Sequence, residues 1–258
     1  MNNYPARYFK YRGINICDRP PYVLKDIVDI SSGTATRQES TYYGFDGCKY
    51  INILYERRAF QVIGTIITDN YFDFVQAKRR LIAAADMKTE ADAEYFNRKD
   101  SYFAKCYFLS LPSFSKRLAW TCEFTLELAI PSFYWLSLKK AVAVDDDTVI
   151  NNEGDVETYP VYEIVRGTGT PPNEINISNW NESIVINYQP AAGEVITVDT
   201  FNADVYKTVG TTKTSLLSLT GLTSSFFALK KGRNRIGVNV TDGNLVTTCY
   251  YYDRFLGV

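Results

Sequence analysis

The chain of 258 residues is 46% apolar, 22% charged and 15% aromatic, enough material for one large β domain or two ordinary ones. Its 28 Lys and Arg against 29 Asp and Glu leave a net charge of −1, which argues against a strong pull toward nucleic acid or an acidic membrane. With no histidine, Ser-His-Asp and Cys-His nucleophile systems, imidazole bases and histidine-containing metal sites are excluded by composition.

Cys17, Cys48, Cys106, Cys122 and Cys249 are odd in number and lack Cys-x-x-Cys spacing, so they read as buried free thiols. Residues Met1 to Gly13 are polar and aromatic, without the apolar stretch of a signal peptide, and no apolar run approaches the roughly 18 residues of a membrane span. The expectation is a soluble protein assembled in a reducing cytoplasm.

Short runs of β-branched and aromatic residues, bounded by Gly, Pro, Asn and Asp, predict an all-β chain. Ile51 to Tyr55 and Phe60 to Ile67 read as a strand pair across Glu56, Arg57 and Arg58. From Asn70 to Ala85 the pattern turns helical. Phe74, Ala77, Leu81, Ile82 and Ala85 recur at helical spacing, Asn70 is placed to cap, and Asp73 falls in the first turn. Tyr102 to Leu111 is expected to present Phe103, Tyr107, Leu109 and Leu111 on one face and to pair with Cys122 to Ile130. In that second strand Cys122, Phe124, Leu126, Leu128 and Ile130 alternate with Glu123, Thr125 and Glu127. The first half is thus predicted to be a β-sandwich carrying one helix.

Between Leu136 and Tyr159 the composition becomes acidic and polar, which places a domain boundary near residue 138 and a solvated linker at Asp145, Asp146 and Asp147. Strands resume at 161–165, 175–177, 184–188, 194–200, 226–229, 235–240 and 246–252, with turns about every ten residues, as in a second sandwich. The fold class is mainly β: two tandem antiparallel β-sandwich domains, residues 1–138 and 139–258.

Few residues suggest chemistry. The three consecutive aspartates lack the alternating ligand spacing of a calcium loop. Lys78, Arg79 and Arg80 read as a solvated helix face that suits an acidic protein partner better than nucleic acid. Glu123, Glu127, Asp199 and Asp204 are carboxylates of the right type for glycoside hydrolysis, but no local pattern pairs two of them. No catalytic residue, cofactor or metal site is predicted. Trp180, among Asn179, Asn181 and Glu182, has two readings: a ring packed at a sandwich corner, which the sequence favours, or a platform for a sugar face.

In order and spacing the segments resemble the distal tail protein family of long-tailed bacteriophages. The first half contributes Tyr11-Arg12-Gly13-Ile14, Gly44-Phe45-Asp46-Gly47, Val62-Ile63-Gly64-Thr65-Ile66, the helix from Tyr71, and Glu123-Phe124-Thr125-Leu126-Glu127-Leu128 running into Pro131-Ser132-Phe133-Tyr134-Trp135. More specific is Asn151-Asn152-Glu153-Gly154-Asp155-Val156-Glu157-Thr158-Tyr159-Pro160-Val161-Tyr162, which is similar to the opening of the family's C-terminal domain. Gly193-Glu194-Val195-Ile196-Thr197-Val198-Asp199-Thr200 is similar to its central strand, and Phe226-Phe227-Ala228-Leu229 followed by Gly232, Asn234 and Ile236 to its end. Gly154, Gly193, Gly232 and Asn234 suit turns with positive φ.

The resemblance implies a structural virion protein without catalysis: a hexameric ring of N-terminal domains, with galectin-like C-terminal domains pointing outwards. The implied partners are the tail tube protein, the tape-measure protein and the tail-associated, receptor-binding proteins, with no sequence-specific nucleic acid and no membrane. The implied location is the virion tail tip, after assembly in the bacterial host cytoplasm. In some members the last residues return to the first domain, here Tyr250 to Val258. A ring needs a contact that closes on itself, and the long stretch from Ser31 to Tyr43 is expected to be a subunit-contact arm carrying Thr34, Thr36, Tyr42 and Tyr43. The alternative function is a carbohydrate-binding module on a phage tail, using Trp180.

Overall fold

The computed structural model describes residues 7–31, 35–40, 49–55, 57–240 and 244–257. They form two compact units, Met1–Leu136 with Leu256–Val258, and Ser137–Phe255. Both are mainly β and antiparallel.

The first unit contains β1 (Tyr8–Tyr11), β2 (Ile14–Ile16), β3 (Asp18–Arg19), β4 (Tyr22–Ser31), β5 (Ala35–Ser40), β6 (Lys49–Tyr55), β7 (Arg58–Ile67), α1 (Tyr71–Ala84), β8 (Ala91–Phe96), β9 (Ser101–Phe108), β10 (Ser113–Phe114), β11 (Thr121–Ile130) and β12 (Trp135–Leu136). Its main sheet runs β2-β1-β8-β9-β11-β7-β4-β3. Phe9 in β1 and Phe60 in β7 are four strands apart along this path, roughly 19 Å in a flat sheet at about 4.8 Å per strand, yet their ring centroids lie 6.0 Å apart. The sheet therefore folds over on itself. The fold falls where β9 meets β11, which pair only at Phe108↔Leu128 and Tyr107↔Ala129, whereas β11 and β7 pair continuously from Thr121↔Ile67 to Ile130↔Arg58.

The predicted alternation of β11 holds, with Cys122, Phe124, Leu126, Leu128 and Ile130 all buried. Opposite Phe124 stands Gly64, and a Cβ there would lie 2.4 Å from the Phe124 ring, so the glycine makes room for the aromatic. Helix α1 begins as its sequence requires: the Asn70 side chain accepts the Asp73 N–H at 2.9 Å. Phe74, Ala77 and Leu81 are buried, while Ile82 is exposed. The Tyr22 hydroxyl donates to the Ala77 carbonyl at 2.8 Å and ties the helix to β4.

Three expectations for this unit change. β6 pairs with β5, not with β7, because β7 is already flanked by β4 and β11. The backbone of 35–40 is consequently a strand rather than loop. In β9 the buried face is Ala104, Cys106 and Phe108, not Phe103 and Tyr107. Small residues fit beneath Tyr11, whose hydroxyl donates to the Cys106 carbonyl at 3.0 Å, and the larger rings are left half-covered. β8, polar at Asp92 and Glu94, is a further strand that the apolar pattern did not mark.

The second unit contains β13 (Lys140–Val144), β14 (Thr148–Asn152), β15 (Val161–Arg166), β16 (Ile175–Asn179), β17 (Glu182–Ile186), β18 (Val195–Asp199), β19 (Asp204–Val209), β20 (Thr212–Ser215), β21 (Gly232–Val240), β22 (Leu245–Tyr251) and β23 (Arg254–Phe255). A six-stranded sheet, β13-β22-β15-β18-β19-β20, faces a four-stranded one, β14-β21-β16-β17. Tyr162, Ile164, Ile196, Val198 and Val205 of the first pack against Ile150, Ile175, Ile177, Ile184 and Ile236 of the second, with Phe227 and Leu229 in the same core. This is a β-sandwich.

The acidic stretch is part of this sandwich rather than a linker. Asp145–Asp147 turn the chain from β13 in one sheet to β14 in the other, and the Asp145 carboxylate accepts from the Thr148 hydroxyl at 2.7 Å. The segment 226–229 is not a strand. It makes a single bridge, Thr158↔Leu229, while Phe227 and Leu229 fill the core. Gly193 and Gly232 have φ of +82° and +86° as their turns require. Gly154 is needed for a different reason, since a Cβ would fall 2.6 Å from the Arg254 backbone. Asn234 is a buried strand residue whose side chain bonds the Lys230 and Gly232 backbone.

Candidate functional site

The carboxylates weighed for catalysis serve separate local roles. Glu123 pairs with Lys25, and Glu127 accepts from Gln61 and Ser110. Asp199 holds the turn at Phe201 and Asn202, and Asp204 pairs with Lys213. Asp147 pairs with Arg235. Among the described residues no group of three or more Cys, Asp or Glu could hold a metal ion. On the helix, Lys78 lies 4.3 Å over the Phe114 ring. Of the cysteines, Cys106, Cys122 and Cys249 are buried, and burial pushes the Cys249 thiol up to about 12. Cys48 lies outside the described residues.

Thr36 falls on β5, opposite Leu54 of β6. Thr34, Tyr42 and Tyr43 lie outside the described residues.

Trp180 is where an unusual side chain and an open surface coincide. β16 and β17 pair up to Asn179↔Glu182, leaving Trp180 and Asn181 as a two-residue loop. Trp180 has φ +57°, a left-handed value that normally selects glycine at the first position of such a loop. The residue is 76% exposed, against 1% for Trp135. It is therefore not packed at a corner, contrary to the reading the sequence favoured, because the reversed backbone turns the ring away from the core.

Two clefts flank the indole. One, of about 380 Å³, is lined by Tyr159, Asn181, Glu182, Lys230 and Arg233 among others. The second, of about 530 Å³, is bounded by Asp147, Val149, Arg233 and Arg235. Asn179, the residue before Trp180 and part of the lining of the first cleft, is 3% exposed. Its Nδ2 donates to the Ala228 carbonyl at 3.5 Å, and its Oδ1 has no hydrogen-bond partner. Around the rim the Tyr159 hydroxyl donates to Glu157 at 3.0 Å, and Ser225 donates to Glu182 at 3.3 Å. Only Trp180 and its neighbours Asn179, Asn181 and Glu182 were legible as a site in sequence. Glu157, Tyr159, Lys230 and Arg233 come from distant segments, and no local pattern connects them.

A second polar cluster is structural. Glu194 is 6% exposed and accepts from Lys207 Nζ, from the Tyr188 hydroxyl, both at 2.7 Å, and from the Ala191 N–H at 2.9 Å. Burial alone would raise its carboxyl, but these donors outweigh it and hold the group at about 2.

Comparison with known proteins places this fold. Residues 153–255, within the second unit, match the family model of the siphovirus-type tail component, C-terminal domain. The chain has the fold of SPP1 Dit (gp 19.1), described as a paradigm of the hub adsorption apparatus in phages infecting Gram-positive hosts. The TM-score is 0.71 at 13% identity, covering 97% of this chain and 100% of that one. Chains of the phage P2 baseplate in its activated conformation align less closely. The calcium form gives a TM-score of 0.43 at 9% identity over 95% of this chain and 98% of its own. The strontium form gives 0.42 at 8% over 95% and 97%. No curated protein matches the chain.

Proposed function

We propose that this protein is a structural component of a bacteriophage distal tail, a hub at the tail tip or baseplate. In this reading the first unit closes into a hexameric ring, and the second is a galectin-like sandwich. The ring joins the tail tube and tape-measure protein to the tail-associated, receptor-binding proteins that attach to the host. Its place is the virion tail tip after assembly in the host cytoplasm, and its role needs no catalysis or cofactor. The observation that carries this reading is the family match over residues 153–255, set within a fold shared over 97% of the chain with a phage hub protein.

Ring closure requires two different surfaces that meet in a head-to-tail contact. The first unit offers a suitable one, where Tyr71, Phe72 and Leu118 are exposed and Arg117 lies over the Tyr71 and Trp120 rings at 5.1 and 4.4 Å. The ribbon of β5 and β6, a separate two-stranded sheet, supports a contact arm bearing Thr36, with Thr34, Tyr42 and Tyr43 in the same stretch of sequence. Native mass spectrometry and negative-stain imaging test this. The expected particle is a hexamer or paired hexamers, formed alone or on addition of tail partners, and deletion of 32–39 is expected to abolish it. A chain that stays monomeric in both settings would overturn the hub reading, and rings formed by the deletion variant would overturn the arm.

A further inference from the structure

We infer that the exposed face of Trp180 is a binding platform for an uncharged oligosaccharide. The first observation is the position itself. A bulky L-residue is disfavoured at φ +57°, and here it gains little packing in return, since the residue is 76% exposed. Glycine would serve the hairpin better, so the fold gives no reason for an indole at this point.

The second observation is the pair of clefts on either side of the ring, about 380 and 530 Å³, which leave its surroundings open to a ligand. Their rims are crowded with hydrogen-bonding groups whose charges cancel: Asp147, Glu157 and Glu182 against Lys230, Arg233 and Arg235. A polyanion or polycation would meet as much repulsion as attraction there. A sugar ring meets none. Its apolar C–H face stacks on the indole, and its hydroxyls both donate to carboxylates and accept from Lys, Arg and amide groups. A peptide would place fewer hydroxyls against so polar a rim. This inference does not depend on the hub reading, and its failure would leave ring formation untouched.

The test uses the full chain and soluble tetrasaccharides of glucose, galactose, rhamnose and N-acetylglucosamine. Trp135 is buried and Trp120 half-buried, so Trp180 dominates quenching by acrylamide. At least one tetrasaccharide is expected to protect it with a Kd of roughly 1 mM, as a single shallow stacking site allows. Isothermal titration then compares variants. Trp180→Gly, which suits the backbone, is expected to keep or raise Tm while weakening binding at least tenfold, and Trp180→Phe is expected to retain part of it. No protection by any of the four at 20 mM, or unchanged binding by Trp180→Gly, would overturn the proposal. So would Trp180-dependent capture of a tail protein with no sugar bound.

Discussion

The two units bury their apolar surface in different ways. In the first, a single sheet bends until its own strands face one another, and the gap is filled by rings. Phe60 sits at 5.5 Å from Trp135 and 6.0 Å from Phe9, both at steep interplanar angles, and Tyr95 lies 6.4 Å from Trp135. In the second, two separate sheets close on a layer dominated by isoleucine. β-Branched chains interdigitate well between two aligned pleated surfaces, whereas large rings span the uneven gap inside a fold-over. The second unit adds buried polar clamps. Besides Glu194 with Lys207, Asn152 donates to the Val156 and Leu229 carbonyls at 2.9 and 3.1 Å, and Thr200 donates to Pro160 at 2.8 Å. Ring contacts thus organise one core, and hydrogen-bonded side chains pin the loops around the other.

Truncation at the fold-over is expected to have the largest effect. Phe60→Ala removes a fully buried ring that bridges the layers and should cost about 3–5 kcal/mol. Chemical denaturation should show the loss, and Trp135 emission should shift to the red as its neighbour disappears.

Breaking a clamp in the second unit should cost somewhat less. Lys207→Met leaves the covered Glu194 carboxylate without its counter-ion, held only by Tyr188 and the Ala191 N–H, a loss of about 3 kcal/mol. Adding Glu194→Leu should restore most of it, as a double-mutant cycle would register.

The same carboxylate makes an acid-sensitivity prediction. Its pKa falls from the ordinary 4.5 to about 2 on folding, so its stabilisation is complete above about pH 4.5 and drains away as pH drops toward 2. Thermal midpoints measured between pH 5 and 2 should fall less steeply for Glu194→Gln than for the parent chain.

The smallest effect concerns the helix of the first unit. Asn70→Ala removes the side chain that accepts the Asp73 N–H and should cost about 1 kcal/mol, seen as a modest drop in denaturation midpoint.

Legibility in the sequence followed the range of the interaction. The cap at Asn70, the buried stripe Phe74, Ala77 and Leu81, and the alternation along β11 are local patterns, and all three hold in the structure. Strand pairing was less legible. The proximity of 51–55 to 60–67 suggested a hairpin, but β7 is paired on both sides by strands from elsewhere. β14, β19 and β20 escaped notice because polar residues break up the apolar alternation, and β13, Lys140–Val144, because it leads into the acidic run that reads as a linker. The candidate site divides in the same way: Trp180 and its amide neighbours stand together in sequence, while Lys230 and Arg233 join them only through the pairing of β16 with β21 and the loop that leads into it.

The sequence by itself determined the β class, the α-helix at Tyr71–Ala84, the absence of histidine chemistry and the likeness to a phage tail family, because composition and short-period patterns act through neighbours along the chain. Tertiary structure alone decided where the first sheet folds over and that the acidic stretch is a turn within the second sandwich. It also decided that Trp180 faces solvent. Each of these depends on which distant strand occupies a given edge, and on a backbone angle imposed by that pairing, and neither is encoded in any one segment.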